Sequence, residues 1–316
     1  MSAASNKIVS IIVVTCGAND YFKPCLNSLK AQTHPELEVI VIDNSLKPGI
    51  SQEISKDYPF VKLYSSQRNL FYCESLNQGI GLSSGGFILC LNDDVILGPR
   101  FIEQALRGFD VDSQIGMVSG KILRYEGKTI DSTGLFLSPW RTARERGYGA
   151  KDIGQFTKEG FIFGVNGAVA FYRRKMLEEI KENTDYFDSS FSFFYEDLDL
   201  AWRAVCTGWK GYYIPQALAY HLRGGTARQG CGINKPFARR YLNDKLHADL
   251  IKNRYLAIIK NEKCLDFLLR LPCILTYDLA AWAYVLFFRP RQIKLFISNL
   301  KYLKSALDKR KQSKKK

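Results

Sequence analysis

The chain has 316 residues, of which 46% are hydrophobic and 24% are charged, and these fractions are ordinary for a water-soluble globular protein. The length allows one large domain or two smaller ones. The net charge of +14 lies in one part of the chain, because residues 1–234 carry 25 basic and 25 acidic side chains, whereas residues 235–316 carry 20 and 6. A protein that is basic over its whole surface is therefore excluded.

The eight cysteines include no Cys-x-x-Cys pair, and no signal peptide is recognised before the first apolar segment. Disulfide frameworks are typical of small secreted domains, and this chain does not have that character. We therefore expect reduced, mostly buried thiols in a cytoplasmic protein.

The first hundred residues alternate between strand-like and helix-like patterns. Apolar runs predict strands at 8–15, 37–43, 61–64 and 87–91, and helical patterns cover about 22–31 and 74–83. Continuous apolar runs indicate strands that are buried on both faces. With helices between them, they imply right-handed βαβ units and a parallel, doubly wound sheet, which binds ligands at the carboxyl ends of its strands. Residues 99–232 show a looser mixture of patterns, and the region from 233 to 316 is mainly helical.

Polar residues follow two of these strands. Asp43 ends the second strand, where a carboxylate can bind a base or ribose or can simply cap a helix. Asn92, Asp93 and Asp94 follow the fourth strand, and their adjacent carboxylates would repel each other unless a cation lies between them. Mg²⁺ or Mn²⁺ with a substrate diphosphate suits such oxygen ligands, and the alternative is a solvated turn. Because both strand ends should meet at one sheet edge, the sequence favours a metal and nucleotide site.

A third group of polar residues begins a predicted helix after an aromatic run. Glu196, Asp197 and Asp199 are acids at a helix start, which is ordinary capping, or they provide a general base whose pKa is raised by an apolar wall. Asp199 and Arg203 are four residues apart and are expected to pair. His221 precedes the glycine loop Gly224-Gly225-Thr226, and taken alone it is more typical of a structural histidine than of a metal ligand.

Together these features resemble family 2 of the inverting glycosyltransferases, which have the GT-A fold, and especially its rhamnosyltransferase-like branch. The resemblance covers about residues 9–226. It depends on the order and spacing of the following motifs: the first strand to Thr15, Gln32-Thr33, Val39-Ile40-Val41-Ile42-Asp43-Asn44, Arg68-Asn69, Asn77-Gln78-Gly79, Leu91-Asn92-Asp93-Asp94, Asn166-Gly167-Ala168, Arg173-Arg174, Glu196-Asp197-Leu198-Asp199-Leu200 with Arg203, and His221. This chain has Phe71-Tyr72 where the family usually has a glycine, and Asn92 where other branches have Asp.

The resemblance implies an α/β, GT-A-type, mainly parallel sheet flanked by helices, with residues 1–98 and 99–232 as two halves of one domain and 233–316 as a helical basic region. It also implies Mg²⁺ or Mn²⁺, a dTDP-rhamnose or UDP-sugar donor, and a saccharide acceptor linked to polyprenyl diphosphate, in cell-surface polysaccharide assembly. Its implied site residues are Thr15, Asp43, Asn69, Asn77, Asn92 and Asp93 for the nucleotide sugar, Asp94 and His221 for the metal, Asp197 as the base, and Gly167, Ala168, Glu196, Asp199 and Arg203 for support or acceptor contact.

The segment 265–288 is apolar but carries Arg270, Pro272 and Asp278, and its longest clean run has ten residues, fewer than the roughly 20 that a membrane span needs. Trp282 and Tyr284 suit a lipid headgroup boundary, and the basic residues that follow would meet anionic lipid. We expect monotopic attachment to the inner face of the cell membrane. The alternative is a solvated basic tail on a soluble helical domain.

Two other functions are alternatives to a glycosyltransferase. A sugar-phosphate nucleotidyltransferase would have a basic, glycine-rich loop after the first strand, and Cys16-Gly17-Ala18-Asn19 matches such a loop poorly. A nucleic-acid-binding protein could use the basic tail, but no nucleic-acid motif is recognised and the charge is confined to a lipophilic helical region. We therefore expect no nucleic-acid partner.

Overall fold

The computed structural model describes residues 7–17, 20–46, 54, 56–223 and 242–313. The predicted glycine loop Gly224-Gly225-Thr226, the residues Ala18 and Asn19, and Cys231 lie outside the described residues.

The first part of the chain forms the predicted βαβ units. Its elements are β1 (Val9–Thr15), α1 (Phe22–Lys30), β2 (Leu37–Asp43), β3 (Val61–Ser65), α2 (Phe71–Leu82) and β4 (Phe87–Asn92). Strand β1 pairs in parallel with both β2 and β4, and β2 pairs in parallel with β3. Every residue of β1 is buried, as its continuous apolar run predicts.

The middle of the chain extends the same sheet. Its elements are β5 (Val95–Leu97), α3 (Phe101–Asp110), β6 (Ile115–Arg124), β7 (Ile130–Ser132), β8 (Leu135–Leu137), β9 (Ala143–Glu145), β10 (Gly160–Ile162), β11 (Val169–Arg173), α4 (Arg174–Ile180), α5 (Glu196–Cys206) and β12 (Lys210–His221). The strand order is β10-β12-β6-β11-β4-β1-β2-β3, with β11 antiparallel to both of its neighbours. The sheet is therefore mixed, with a parallel first half. One sheet joins both sides of residue 98, and the predicted divisions after residues 98 and 232 stay predictions.

Two hydrophobic clusters cover the two faces of this sheet. Alternate side chains of β1 point to opposite faces, so that Ile11 and Val13 contact the α1 and α3 side while Ile12 contacts the α2 and α5 side. The strand ends therefore stand on a core packed from both sides, which fixes the loops that follow β1, β2 and β4.

The C-terminal region is helical, as predicted. It consists of α6 (Asp244–Asn261), α7 (Cys264–Phe288), α8 (Gln292–Asn299) and α9 (Lys301–Ser313). The Asn243 side chain caps α6 by accepting a hydrogen bond from the Leu246 N–H at 2.9 Å. Helix α7 runs without a break through Pro272, and the three residues that interrupt the apolar run, Arg270, Pro272 and Asp278, all lie within this one helix. Its length and mean hydropathy of 1.6 over 18 residues are compatible with a membrane span, although this alone is weak evidence.

The expectation of mostly buried thiols is also wrong for the described residues. Cys25, Cys73 and Cys90 are buried, but Cys16, Cys206 and Cys264 are exposed and Cys273 is half-buried. Cys25 and Cys73 lie on helices that pack on the sheet and Cys90 lies on its strand β4, whereas the exposed three lie in a loop after β1 or at helix ends.

Candidate active site

A cleft of about 1420 Å³ opens beside the carboxyl end of β4. It is lined by the predicted residues Asn92, Asp94, Gly167, Ala168, Glu196, Asp197 and His221. Tyr72 and Asn166, which belong to the motifs named above, also line it, as do Glu145 and Arg223, which the sequence did not single out. The candidate metal ligands and the candidate base therefore lie in one cavity, although long stretches of chain separate them.

His221 and Asp94 meet at one side of this cleft. Strand β12 pairs with β5 so that His221 lies opposite Val95, and the Leu222 N–H donates to the Asp94 carbonyl at 3.1 Å. This pairing brings the Nε2 atom of His221 to 3.3 Å from Oδ1 of Asp94. The two predicted metal ligands are thus neighbours because of strand register, which the sequence pattern did not reveal.

Asp131 holds the other side of the His221 ring. Its Oδ2 atom lies 2.9 Å from His221 Nδ1, and its Oδ1 atom accepts from the Arg223 guanidinium. Burial alone would lower the pKa of His221, but hydrogen bonds to Asp131 and Asp94 outweigh burial and raise this pKa. The pKa of Asp131 is lowered. Burial alone would raise it, but the hydrogen bond from His221 and the charge of Arg223 together outweigh burial. Sequence reasoning missed Asp131, which lies on the three-residue strand β7.

The donor atoms at this point fit a divalent cation. When Nδ1 of His221 donates to Asp131, Nε2 keeps its lone pair on the side of Asp94, and a carboxylate behind the ring is the usual support of a metal-binding histidine. No group of three or more His, Cys, Asp or Glu side chains able to hold a metal occurs in the part of the chain that the structure describes. Divalent cations of this kind commonly complete their coordination with water and substrate phosphate oxygens.

The donor-side residues share one edge of the sheet. Thr15 and Asp43 are paired residues at the ends of β1 and β2, and the Thr15 hydroxyl donates to Asp93 at 2.7 Å. Asp43 is buried and accepts from the Ser45 N–H at 2.8 Å, which is a local turn interaction. Asp43 is not among the described residues that line the cleft, so its contact with a nucleotide stays a prediction.

Tyr72 joins the two halves of the cleft. Its hydroxyl lies 2.9 Å from both the Asn92 Oδ1 atom and the Gly167 carbonyl oxygen. Phe71, at the position where the family usually has glycine, has φ of 54° and thus adopts the left-handed backbone that glycine favours. This departure therefore keeps the glycine-like backbone while adding a side chain next to Tyr72.

Asp197 is held at the start of α5 by two backbone donors. Its Oδ2 atom accepts from the Gly167 N–H at 3.0 Å, and its Oδ1 atom accepts from the Leu198 N–H at 2.7 Å. Burial raises the pKa of Asp197, against these hydrogen bonds and the charge of Arg223, which lower it. A fixed carboxyl group with a raised pKa has the properties of a general base.

Two further carboxyl groups surround Asp197. Burial and the charge of Asp197 raise the pKa of Glu196 to about 8 and that of Glu145 to about 7. Glu145 accepts from Ser132 and, at 2.7 Å, from the Asn166 amide, whereas the buried Oε2 atom of Glu196 has no hydrogen-bond partner among the described residues. Three acids in one site cannot all ionise easily, so the group holds a proton near neutral pH.

Asp199 and Arg203 pair as predicted, but they are fully buried behind the cleft. The Arg203 Nε atom donates to Asp199 at 3.0 Å, and Lys260 and Asn261 of α6 donate to the same carboxylate at 2.9 and 2.8 Å. Lys260 also contacts Asp188 at 2.7 Å. These residues therefore fix α5 and its Asp197 against the C-terminal helices, and a direct contact with an acceptor has no support in this geometry.

Asn69 and Asn77, like Thr15, Asp43 and Asp93, are not among the described residues that line the cleft. The Asn77 side chain accepts from the backbone N–H groups of Tyr186 and Phe187, at 3.0 and 2.8 Å, and the exposed Asn69 accepts from the Phe71 N–H at 2.8 Å. Both amides hold backbone turns in this arrangement. Their nucleotide contacts stay predictions.

The residues before α5 adopt an unusual backbone. Phe194 and Tyr195 have φ of 68° and 70°, a region that costs a residue with a side chain about 1 kcal/mol or more. Strain of this kind concentrates at functional sites, and here it directly precedes Glu196 and Asp197. The aromatic run pointed to this segment, but its conformation was not predictable from residue types.

Fold and site together define a doubly wound α/β protein whose cleft holds the neighbouring side chains of Asp94 and His221 and, apart from them, the buried carboxyl group of Asp197. The sequence profile of glycosyl transferase family 2 matches residues 10–181, and the chain belongs to this family. Family membership confirms the resemblance seen in the sequence and speaks against the nucleotidyltransferase alternative.

Three similar proteins illustrate this relationship. Over 111 residues the chain is 34% identical to an uncharacterized glycosyltransferase of Haemophilus influenzae, and the match spans only about a third of that relative, 34% of each chain. It is 23% identical over 242 residues to N-acetylglucosaminyl-diphospho-decaprenol L-rhamnosyltransferase of Mycobacterium tuberculosis, covering 68% of this chain and 76% of that one. The mannosyltransferase PcManGT of Pyrobaculum calidifontis, solved with GDP-Man and Mn²⁺, superposes with a TM-score of 0.56 and 16% identity over 95% of this chain and 76% of that chain. This likeness confirms the predicted GT-A fold.

Proposed function

We propose that the protein transfers a single sugar from a nucleotide-diphosphate sugar to a saccharide acceptor, with inversion at the anomeric carbon. The observation that carries this proposal is the Asp197 carboxyl group, which is held by two N–H donors and has a raised pKa in the cleft that also contains Asp94 and His221. One cleft thus contains a base for the acceptor hydroxyl and separate side chains for the leaving diphosphate. A single displacement at the anomeric carbon needs both.

In this reaction Asp197 accepts the proton of the acceptor hydroxyl. The acceptor oxygen forms a bond to the anomeric carbon as the bond from that carbon to the diphosphate oxygen breaks, and a nucleoside diphosphate leaves. Gly167 and Leu198 keep the carboxylate aimed by donating to its two oxygens. Asp94 and His221 would hold a divalent ion, which when bound neutralises charge on the leaving diphosphate. Because the set mixes oxygen and nitrogen donors, we propose Mn²⁺ ahead of Mg²⁺.

The donor and acceptor are proposed from similarity and from the cleft walls. PcManGT was solved with GDP-Man, which supports a nucleotide-sugar donor, and the Mycobacterium tuberculosis relative is named for rhamnosyl transfer to a diphospho-decaprenol-linked sugar. Apolar side chains of α6, Leu246 and Leu250, line the cleft together with Phe193. We propose a lipid-linked saccharide acceptor for cell-surface polysaccharide, met at the inner face of the membrane, with dTDP-rhamnose or a UDP-sugar as donor.

A panel of dTDP-, UDP- and GDP-sugars tests this function. The full chain is mixed with each nucleotide sugar, with Mn²⁺ or with EDTA, and its melting temperature is recorded. The donor that raises the melting temperature only with Mn²⁺ is then incubated with a polyprenyl-diphosphate-linked saccharide, and the anomeric configuration of the product is determined by NMR. We expect a single added sugar of inverted configuration. A retained configuration, or no response to any nucleotide sugar, would contradict the proposal.

A further inference from the structure

Helix α7 exposes a largely apolar face, on which the hydroxyl of the exposed Thr276 donates to the Pro272 carbonyl at 2.8 Å. Seven residues, which we call the α7 stripe, are between 50% and 81% exposed: Leu265, Leu268, Leu269, Leu275, Leu279, Leu286 and Phe287. They recur at intervals of three, four, six and seven residues, so they lie on one side of the helix. The stripe extends over about 33 Å at a rise of about 1.5 Å per residue.

The charged residues of α7 lie off this stripe. At about 100° per residue, Asp278 lies on the opposite side of the helix, near Ile274 and Val285, the two residues of this described helix that are buried. Asp278 forms an ion pair with Arg254 of α6, and Asp266 and Arg270 lie on the flanks of the helix. The polar residues that seemed to divide this segment in the sequence therefore leave its outer face largely apolar.

We propose that the α7 stripe is a docking surface for an anionic lipid bilayer, in which α7 lies parallel to the membrane plane. This inference rests on the proposed function only in that it names the surface by which that enzyme meets its membrane. Burial of an apolar helix face with cationic residues beside it is the usual form of interfacial attachment.

The cationic residues required for such attachment follow α7 directly. Arg291, Lys294, Lys301 and Lys304 are exposed on or before α8 and α9. Each positive charge near an anionic membrane surface adds electrostatic attraction to the hydrophobic attraction of the α7 stripe. A symmetric pair of chains meeting through the same face would instead bring these like charges together, which disfavours a second copy as the occupant.

Side contacts of α7 favour an orientation in the membrane plane over a span. Arg254 donates to Asp278 and, at 2.8 Å, to the Trp140 carbonyl, while the Trp282 ring N–H donates to the Tyr255 hydroxyl at 2.9 Å. These bonds tie α7 sideways to α6, which itself lines the cleft through Leu246 and Leu250. A helix that crossed the bilayer would lose them.

Vesicle sedimentation with the full chain tests this surface. The probes are vesicles of phosphatidylcholine alone and of phosphatidylcholine mixed with phosphatidylglycerol, without donor or acceptor. The test variant carries Leu269→Gln, Leu279→Gln and Phe287→Gln together, and the control carries Ile153→Gln, which alters an equally exposed apolar residue at 78% exposure outside the C-terminal helices. Circular dichroism and melting temperature check that all three proteins are folded.

We expect the wild type and the control to sediment with the phosphatidylglycerol vesicles and the triple variant to lose at least about tenfold in partitioning. Equal partitioning of the triple variant would overturn the proposal. So would a lipid-independent dimer of the wild type that dissociates in the triple variant, since the stripe would then be an interface between copies. Sugar transfer to the polyprenyl-diphosphate-linked saccharide dispersed in detergent without vesicles, measured on the same proteins, should be unchanged by the triple substitution. Its absence in the wild type would refute the proposed function without touching this inference.

Discussion

The imidazole of His221 lies 3.3 Å from the Asp94 carboxylate, and this contact depends on the antiparallel pairing of β12 with β5. Asp131 holds the opposite ring nitrogen at 2.9 Å. Through this pairing, β12 places His221 beside the polar turn that follows β4. The cleft is thereby assembled from both halves of the mixed sheet.

Replacement of Asp131 should weaken cation binding without removing any proposed ligand. In Asp131→Asn the His221 ring loses the charged partner that orients it, so Mn²⁺ affinity should fall about 10- to 100-fold, as is typical when the partner of a metal-binding histidine is removed. Calorimetric titration of Mn²⁺ in the presence of nucleoside diphosphate measures this. Asp112→Asn, at an ion pair remote from the cleft, is the matched control. Equal affinity in the two variants would contradict a role for Asp131 behind the metal site.

In a plot of the transfer rate against pH, the acidic limb, where the rate rises with pH, should lie at a higher pH than an ordinary aspartate base would give. Asp197 must be deprotonated to accept a proton, and burial raises its pKa, so activity should rise with pH above the usual carboxyl range of about 4. Glu145, Glu196 and Arg223 are the charged groups that act on this carboxyl group.

Glu145→Gln removes the carboxyl group whose pKa the charge of Asp197 raises to about 7. Because repulsion between the two carboxylates raises the pH at which the pair loses its last proton, the substitution should move the upper part of this limb to lower pH. The measurement is kcat/KM against pH for wild type and variant, with Glu103→Gln at the surface as control. An unshifted limb in Glu145→Gln would show that the two carboxyl groups do not interact.

The same substitution should stabilise the unliganded protein at alkaline pH. The pKa of Glu145 is raised from 4.5 to about 7, so the ionised form is disfavoured in the folded state, and wild-type stability falls as pH rises through this window. We expect Glu145→Gln to gain about 1–2 kcal/mol in the free energy of unfolding at pH 8, after allowance for solvent screening in the cleft, and to gain nothing near pH 4. Urea denaturation at the two pH values measures this. A gain that is independent of pH would point to packing as its cause.

Lys260 should be essential for the stability of the chain. Its ammonium group contacts Asp188, Asp199 and Glu182 at 2.7, 2.9 and 2.9 Å, and it is almost fully buried. Lys260→Met would leave three buried carboxylates without this partner and should lower the free energy of unfolding by about 3–5 kcal/mol. The exposed Lys263→Met is the control, with an expected change of less than about 0.5 kcal/mol. A loss as small as that of the control would mean that the buried network contributes little.

The first half of the fold was predictable because its signals are local. Continuous apolar runs specify β1, β2 and β4, and acids at their ends indicate the ligand edge. Only the second half of β12 was indicated, as a strand-like run from Ile214 to Tyr220 before His221, because Pro215 interrupts the pattern and the register shifts between Ile214 and Leu218. Short strands such as β7, which carries Asp131, are defined by their partners rather than by their own residues.

The site was predictable where a motif is contiguous and unpredictable where it is assembled in space. Asp94, Asp197 and His221 were found from their sequence context and do share one cleft. Glu145 comes from a hairpin strand of three residues, and nothing in its neighbours indicates that it faces Asp197. The helical character of the C-terminal segment was predictable, but the side of the helix that its charged residues occupy was not, since composition along the chain does not show this.

The most direct test of the central claim is the Asp197→Asn variant. The amide cannot accept the acceptor proton but has nearly the same shape, so transfer should fall by about 100- to 10,000-fold while the affinity for the donor nucleotide stays near that of the wild type. Asp110→Asn, at an exposed helix end, should retain full activity. Wild-type turnover by Asp197→Asn, measured as sugar transferred per enzyme per second at saturating donor, would contradict the assignment of Asp197 as the base and with it the proposed reaction.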